Sequence, residues 1–288
     1  MKALACERPT DHGRPLARLS VFDVCQQAWA EGGTMSYSTV WRCLHEDALR
    51  PWFHRPWLFP QDPQFAAKAG RVLDLYARCW EGEPLGPRDV VLSADELTQL
   101  QALSRLHPNV PAGPGRPALY EFEYARHGTL CYFAFLDVLT GRVYGETAPT
   151  NGIVPFEQAL SHCLAQERYQ HAERVFLIVD NGCAHHPTTA PVRLQALHPQ
   201  LTVVHLPVHA SWLNQVELYF SIVKRKALHP ADFPSLEALQ QRLSLFQCRY
   251  NDRAESFHWS FTRTELAGYV RRLEQHGWLP EANHPLPN

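Results

Sequence analysis

Two hydrophobic periodicities run along this chain, helical at first and strand-like afterwards. Residues 19 to 30 (LSVFDVCQQAWA) place apolar groups at Leu19, Phe22, Cys25 and Trp29, a stripe at helical spacing. Gly32 and Gly33 end it. Ser36 is positioned to N-cap a second short helix, SYSTVWRCLHED, with Val40, Cys43 and Leu44 inward. Ser38, Thr39, Arg42 and His45 then face outward. Two helices joined by a glycine turn fit a DNA major groove, and equally form an ordinary helical hairpin. The four prolines between residues 50 and 63 forbid a continuous helix and predict an extended linker. Asp62 to Trp80 reads as a further helix, with Phe65, Ala69, Val72, Leu73 and Tyr76 on one side.

After EGEPLGPRD the pattern changes. DVVLSAD is nearly all apolar, as expected of a short strand covered on both faces. A proline- and glycine-rich loop (HPNVPAGPGRP) follows. ALYEFEYAR and LCYFAFLDV then read as a hairpin turning at His127-Gly128, with a third extended run from Arg142 to Thr147. The remaining expectations are a helix at Asn151–Gln166, a buried strand at Arg174–Val179, a short helix at Arg193–His198, a strand at Leu201–Leu206 and a helix at Trp212–Leu228. Antiparallel strands followed by alternating helices and strands predict the α/β class, a mixed sheet flanked by helices.

The 288 residues allow one to three domains, and 45% apolar content suffices for a substantial core. The charged content of 19% argues against general disorder. The net charge of −2 gives no global basic excess, but DNA binding needs only local positive charge. Lys224-Arg225-Lys226 and scattered N-terminal arginines supply it. None of the eight cysteines forms a CxxC pair, which favours free thiols in a reducing compartment. There is no apolar signal core and no run near the ~18–20 residues that span a bilayer, so a cytoplasmic protein is expected.

Three carboxylates stand out. Asp95 and Asp180 close apolar, β-rich runs, at the strand edge where ligand sites gather in open α/β sheets. A cap or turn is the structural alternative for each. Glu217 opens an amphipathic helix with Leu213, Val216, Phe220 and Val223 as its buried stripe, so it lies at the stripe's edge. Its face continues through Ser221 and Lys224. The helix dipole alone also favours a glutamate there. Clustered carboxylates resist ionising together. Two Mg²⁺ or Mn²⁺ ions would relieve them and drive phosphodiester chemistry, with ions ~3.5–4 Å apart. His185-His186 has no partner at zinc spacing. Trp212 is either a base-stacking residue or a core anchor.

The segments SADE (93–96), VDNGCAHH (179–186) and LPVHASWLNQVELYFSIVKRK (206–226) resemble the DDE transposases of the mariner superfamily, in the bacterial insertion-sequence branch of the IS-six-thirty type. The 36 residues between Asp180 and Glu217 match the family spacing, and YNDRAESFHWSFT (250–262) is similar to its C-terminal segment. The resemblance implies an RNase H-like fold over residues 88–265. It also implies a partial helix-turn-helix region over 1–55, a linker and helix over 56–87 and a C-terminal tail over 266–288. It makes Asp95, Asp180 and Glu217 the catalytic metal ligands, with Asn181, His185 and Asn214 supporting them. Ser38, Thr39, Arg42, Lys224 and Arg225 become DNA contacts.

The implied partners are the double-stranded terminal inverted repeats of an element, TA-containing target DNA and a second copy of the chain. The implied setting is the bacterial nucleoid. Family members carry two helix-turn-helix units, whereas the 35 residues before Ser36 hold one at most. A truncated copy, a start further upstream and a partial loss of the end-recognition module all fit that count. The competing functional readings are a non-transposing DNA-binding remnant, a related RNase H-like nuclease, and an interaction module whose three acids lie apart.

Overall fold

The computed structural model describes residues 1–53 and 59–277, in two compact units that divide after Leu58. The middle of the expected proline-rich linker (54–58 of 50–63) and the end of the expected tail (278–288) lie outside the described residues.

The first unit holds α1 (Lys2–Cys6), α2 (Val21–Ala30) and α3 (Tyr37–Glu46). Ser20 and Asp23 form a reciprocal capping box at the start of α2. Ser36 caps α3 by accepting the Thr39 N–H at 3.2 Å, as the sequence predicts. The buried stripe of α2 differs from the expected one. Val21, Val24, Cys25 and Ala28 face the core, while Phe22 and Trp29 are exposed. Val40 and Leu44 of α3 close that core, and Ser38 and Arg42 face outward. Thr39 is half-buried and pairs its hydroxyl with that of Ser36.

The second unit opens with α4 (Phe65–Tyr76), shorter at both ends than its expected range, and a small ribbon of β1 (Cys79–Trp80) and β2 (Glu83–Pro84). A five-stranded sheet follows, built from β3 (Asp89–Arg105), β4 (Tyr124–Asp137), β5 (Val143–Ala148), β6 (Arg174–Val179) and β7 (Leu201–His205). Its order is β5-β4-β3-β6-β7. The first two pairings are antiparallel, and β6 and β7 run parallel to β3.

Two expectations about this sheet are corrected. β3 does not stop at Asp95, because LTQLQALSR contains no breaker and pairs on with the first half of β4. His127-Gly128 is not a turn either. It lies inside β4 at a register shift, where Gly128 takes φ +104° as a bulge residue. The hairpin turns instead through the loop 106–123.

Successive residues of a strand point to opposite faces, so the sheet has two cores. Leu92 and Ala94 of β3 pack with Phe133 and Phe135 of β4 against α5 (Ile153–Leu164) and α6 (Ala190–Leu197). On the other face lie α4, α7 (Val216–Val223), α8 (Leu236–Asn251) and α9 (Arg263–Gln275). The last two helices have no counterpart among the sequence expectations. Leu266 and Leu273 of α9 are buried, so residues expected as tail carry part of the core.

Candidate metal centre

Parallel pairing sets the two aspartates side by side. β3 and β6 pair with Ser93 opposite Ile178, and continuing that register by two residues puts Asp95 opposite Asp180. Both therefore project to the same side, within one strand spacing of ~4.8 Å. Ligand atoms of Asp95, Asp180 and His185 all lie within 4.8 Å of one another. Among the described residues this is the one such group. Asp95 sits in mid-strand, not past its end, and is buried. Asp180 follows directly on β6, as expected.

The loop after β6 shapes Asp180. Its Oδ1 accepts from the Gly182 N–H at 2.7 Å and pairs with His185 Nε2 at 2.6 Å. Both bonds fall on Oδ1, which leaves Oδ2 to a ligand. Gly182 is required here for space. A Cβ on it would come within 2.9 Å of both Asp180 Oδ1 and His185 Nε2. His185 is wholly buried, edge-on to Phe156 at 5.0 Å. Asn181 reaches away from the centre and donates to the Leu206 carbonyl at 2.9 Å, tying the loop to the end of β7.

Glu217 lies in the first turn of α7, half-buried. It is outside the 4.8 Å group but close enough for its charge and that of Asp180 to affect one another. Lys224 is exposed and its charge acts on Glu217, consistent with a shared face. Arg225 and Lys226 are exposed on the π-helical turn Lys224–Leu228 that continues α7. Asn214 is buried and joins the two arms of the site. Its Nδ2 donates to Asp95 Oδ2 at 3.3 Å and to the Ala94 carbonyl at 3.0 Å. Trp212 is partly exposed and meets Phe261 edge-on at 5.1 Å.

The electrostatics are those of uncompensated acids. Burial, and then the Asp180 charge, push the Asp95 carboxyl up to about 7. Burial and Asp180 also raise Glu217, against the pull of Lys224. Asp180 is lowered, because the bond from His185 outweighs its burial. Burial works against a charged His185, but the bond to Asp180 and the Glu96 carboxylate overcome it and raise the imidazole.

Glu96 is absent from the sequence reading of the site. Its Oε1 accepts from Asn151 Nδ2 at 2.9 Å, and its buried Oε2 has no hydrogen-bond partner. That oxygen lies 3.9 Å from His185 Nε2. Its adjacency to Asp95 in SADE was the available signal.

This donor set suits a hard divalent cation. Two carboxylates converge, one of them is pushed up to about 7, and a further carboxylate oxygen is orphaned nearby. His185 fits a supporting role better than ligation. A metal-bound imidazole donates its other N–H to an acceptor, and His185 Nδ1 is buried without one.

The sequence pattern of a family described as DDE superfamily endonuclease matches residues 90–240. No curated protein matches the chain. Solved structures of the Mos1 mariner transposase are similar in fold. Its paired-end complex with Mn aligns with TM-score 0.51 at 16% identity, covering 91% of this chain and 79% of that one. The paired-end complex with the left transposon end gives 0.54 at 16% identity, with 94% and 82% covered. The strand transfer complex gives 0.52 at 16% identity, with 93% and 81% covered.

Proposed function

Because the chain belongs to the DDE superfamily of endonucleases, we propose that it is a DNA transposase that cuts the ends of an element and joins them to target DNA. Its five-stranded mixed sheet flanked by helices is the RNase H-like fold. The observation that carries the reading is the convergence of Asp95 and Asp180 across β3 and β6, with Glu217 brought toward them on α7.

Asp95, Asp180 and Glu217 are the residues that would hold divalent metal. The related Mos1 complexes contain Mn or Mg. Two bound ions would activate the attacking water or 3′ hydroxyl and stabilise the leaving oxygen. The chain's own groups prepare that chemistry. His185 and the Gly182 N–H hold Asp180 by one oxygen, which leaves the other for a metal. Asn214 orients Asp95 and couples it to the start of α7. Burial of Asp95 keeps water from that carboxylate and strengthens its charge interactions.

Lys224 and Arg225, both exposed on the turn that continues α7, would be the phosphate contacts. The outward face of α3, with Ser38 and Arg42, is the surface offered to a major groove, and Thr39 contributes less because its hydroxyl serves the cap. The reading extends to terminal inverted repeats, TA target sites, a homodimer on DNA, and the IS-six-thirty type of bacterial insertion sequence. It also extends to a nucleoid-associated cytoplasmic setting. No described helix is long and apolar enough to cross a membrane, and all eight cysteines are free thiols.

The test is strand cleavage and joining on DNA carrying the element's own ends, with Mg²⁺, for wild type and Asp180→Ala. Metal-dependent cutting and joining that disappears in the variant supports the proposal. Nicking of unrelated DNA without joining would replace it with a nuclease, and binding without cutting with a non-transposing remnant.

A further inference from the structure

The amino end of α7 lacks a cap of its own. Gln215 occupies the N-cap position and makes no capping bond with its side chain. Helices expose several unsatisfied N–H groups at this end, and a nearby Ser, Thr, Asp or Asn normally accepts from one of them. Here the Glu217 N–H finds the Asn214 carbonyl at 3.1 Å, but the acceptors for Gln215 and Val216 come from distant parts of the chain. Ser93 Oγ accepts the Val216 N–H at 2.9 Å. The Tyr76 hydroxyl accepts the Gln215 N–H at 3.3 Å and donates to the Leu213 carbonyl at 2.7 Å.

Each of these residues reaches a different part of the site. Ser93 lies two residues before Asp95, so both project from the same face of β3. It also donates to Asn214 Oδ1, and Asn214 in turn donates to Asp95. Tyr76 comes from the last turn of α4, ahead of the segment that carries the family signature, and meets Trp259 edge-on at 5.4 Å. Strand and helix are thereby clamped together one turn or less from their respective carboxylates.

We infer that Tyr76 and Ser93 are positioning residues that cap α7 from outside and so set the separation of Glu217 from Asp95. This rests on the metal-centre reading above. Neither side chain is assigned a contact with metal or DNA. Their effect passes through the backbone of residues 213–216, which carries Glu217 in the next position.

Tyr76→Phe and Ser93→Ala remove one hydroxyl each and keep the packing volume. The measurement is Mn²⁺ binding to the full-length protein, followed by the electron paramagnetic resonance signal of free Mn²⁺, together with the Mn²⁺ dependence of end cleavage. Loss of groups that orient metal ligands weakens metal binding by roughly 10–100-fold. The expected result is an increase of about tenfold or more in the Mn²⁺ dissociation constant for each variant. The half-saturating concentration for cleavage should rise in parallel and be largely rescued at high Mn²⁺.

Val72→Ala is the control for simple destabilisation. Val72 is buried on the same helix but belongs to the apolar core. This variant should lower the melting temperature and leave Mn²⁺ affinity unchanged. Unchanged Mn²⁺ affinity in both hydroxyl variants would overturn the inference, and so would an equal loss in Val72→Ala. Asp180→Ala separates the two levels. If it binds Mn²⁺ like wild type, the metal-centre reading itself fails.

Discussion

Replacing Asp95 by Asn should make the metal-free protein progressively more stable relative to wild type as pH rises. Folding raises the Asp95 carboxyl from an ordinary 3.8 to about 7, through burial and the neighbouring Asp180 charge. Between those values the folded state binds a proton that the unfolded state has released. Stability therefore falls as pH rises through that window, and the loss is complete above about 7. A gap of about three pH units is worth roughly 4 kcal/mol at most. For a domain of this size that corresponds to a melting-temperature difference on the order of 10 °C.

Asn has no such titration. Its amide still accepts the Glu96 N–H, but it can set two NH₂ groups against each other at Asn214, 3.3 Å away. That contact offsets the whole curve without changing its slope. The assay is thermal unfolding of wild type and Asp95→Asn in EDTA, from pH 4.5 to 8. The stability of the variant relative to wild type should climb by several degrees across that range. Mg²⁺ should then stabilise wild type and not the variant, reversing the order at pH 8. A difference that stays flat with pH in EDTA would refute the reasoning, because it would mean that Asp95 is not held protonated by its surroundings.

Three further outcomes follow from single contacts. Gly182→Ala forces a methyl group to within 2.9 Å of Asp180 Oδ1 and His185 Nε2, so end cleavage should fall at least tenfold while the melting temperature drops only a few degrees. Circular dichroism and a cleavage time course read the two effects. Lys224→Ala should reduce the slope of log affinity against log salt by about 1 and weaken different DNA sequences alike, as measured by fluorescence anisotropy. Ser20→Ala removes the capping box of α2 and should cost the first unit about 1 kcal/mol, read from its thermal or urea unfolding, with no change at the metal centre.

Local pattern settled a good deal on its own. Apolar runs marked β6 and β7, and serine capping marked α3, because those signals depend on neighbours in sequence. Asp95, Asp180 and Glu217 stood out in their motifs as candidate ligands. Other features depended on partners far along the chain. Gly128 reads locally as a turn, but β3 supplies a pairing partner across it and makes it a bulge. Phe22 and Trp29 keep helical spacing yet face outward, because α3 packs against Val24 and Cys25 instead.

The same division holds within the site. Sequence supplies three carboxylates, but only the parallel register of β3 and β6 puts two of them side by side. Ser93 and Glu96 lie in SADE beside Asp95, but nothing in that segment tells what they do in the site, and Tyr76 lies outside every motif. They enter it because burial leaves polar groups needing partners, and the tertiary fold decides which side chains are within reach.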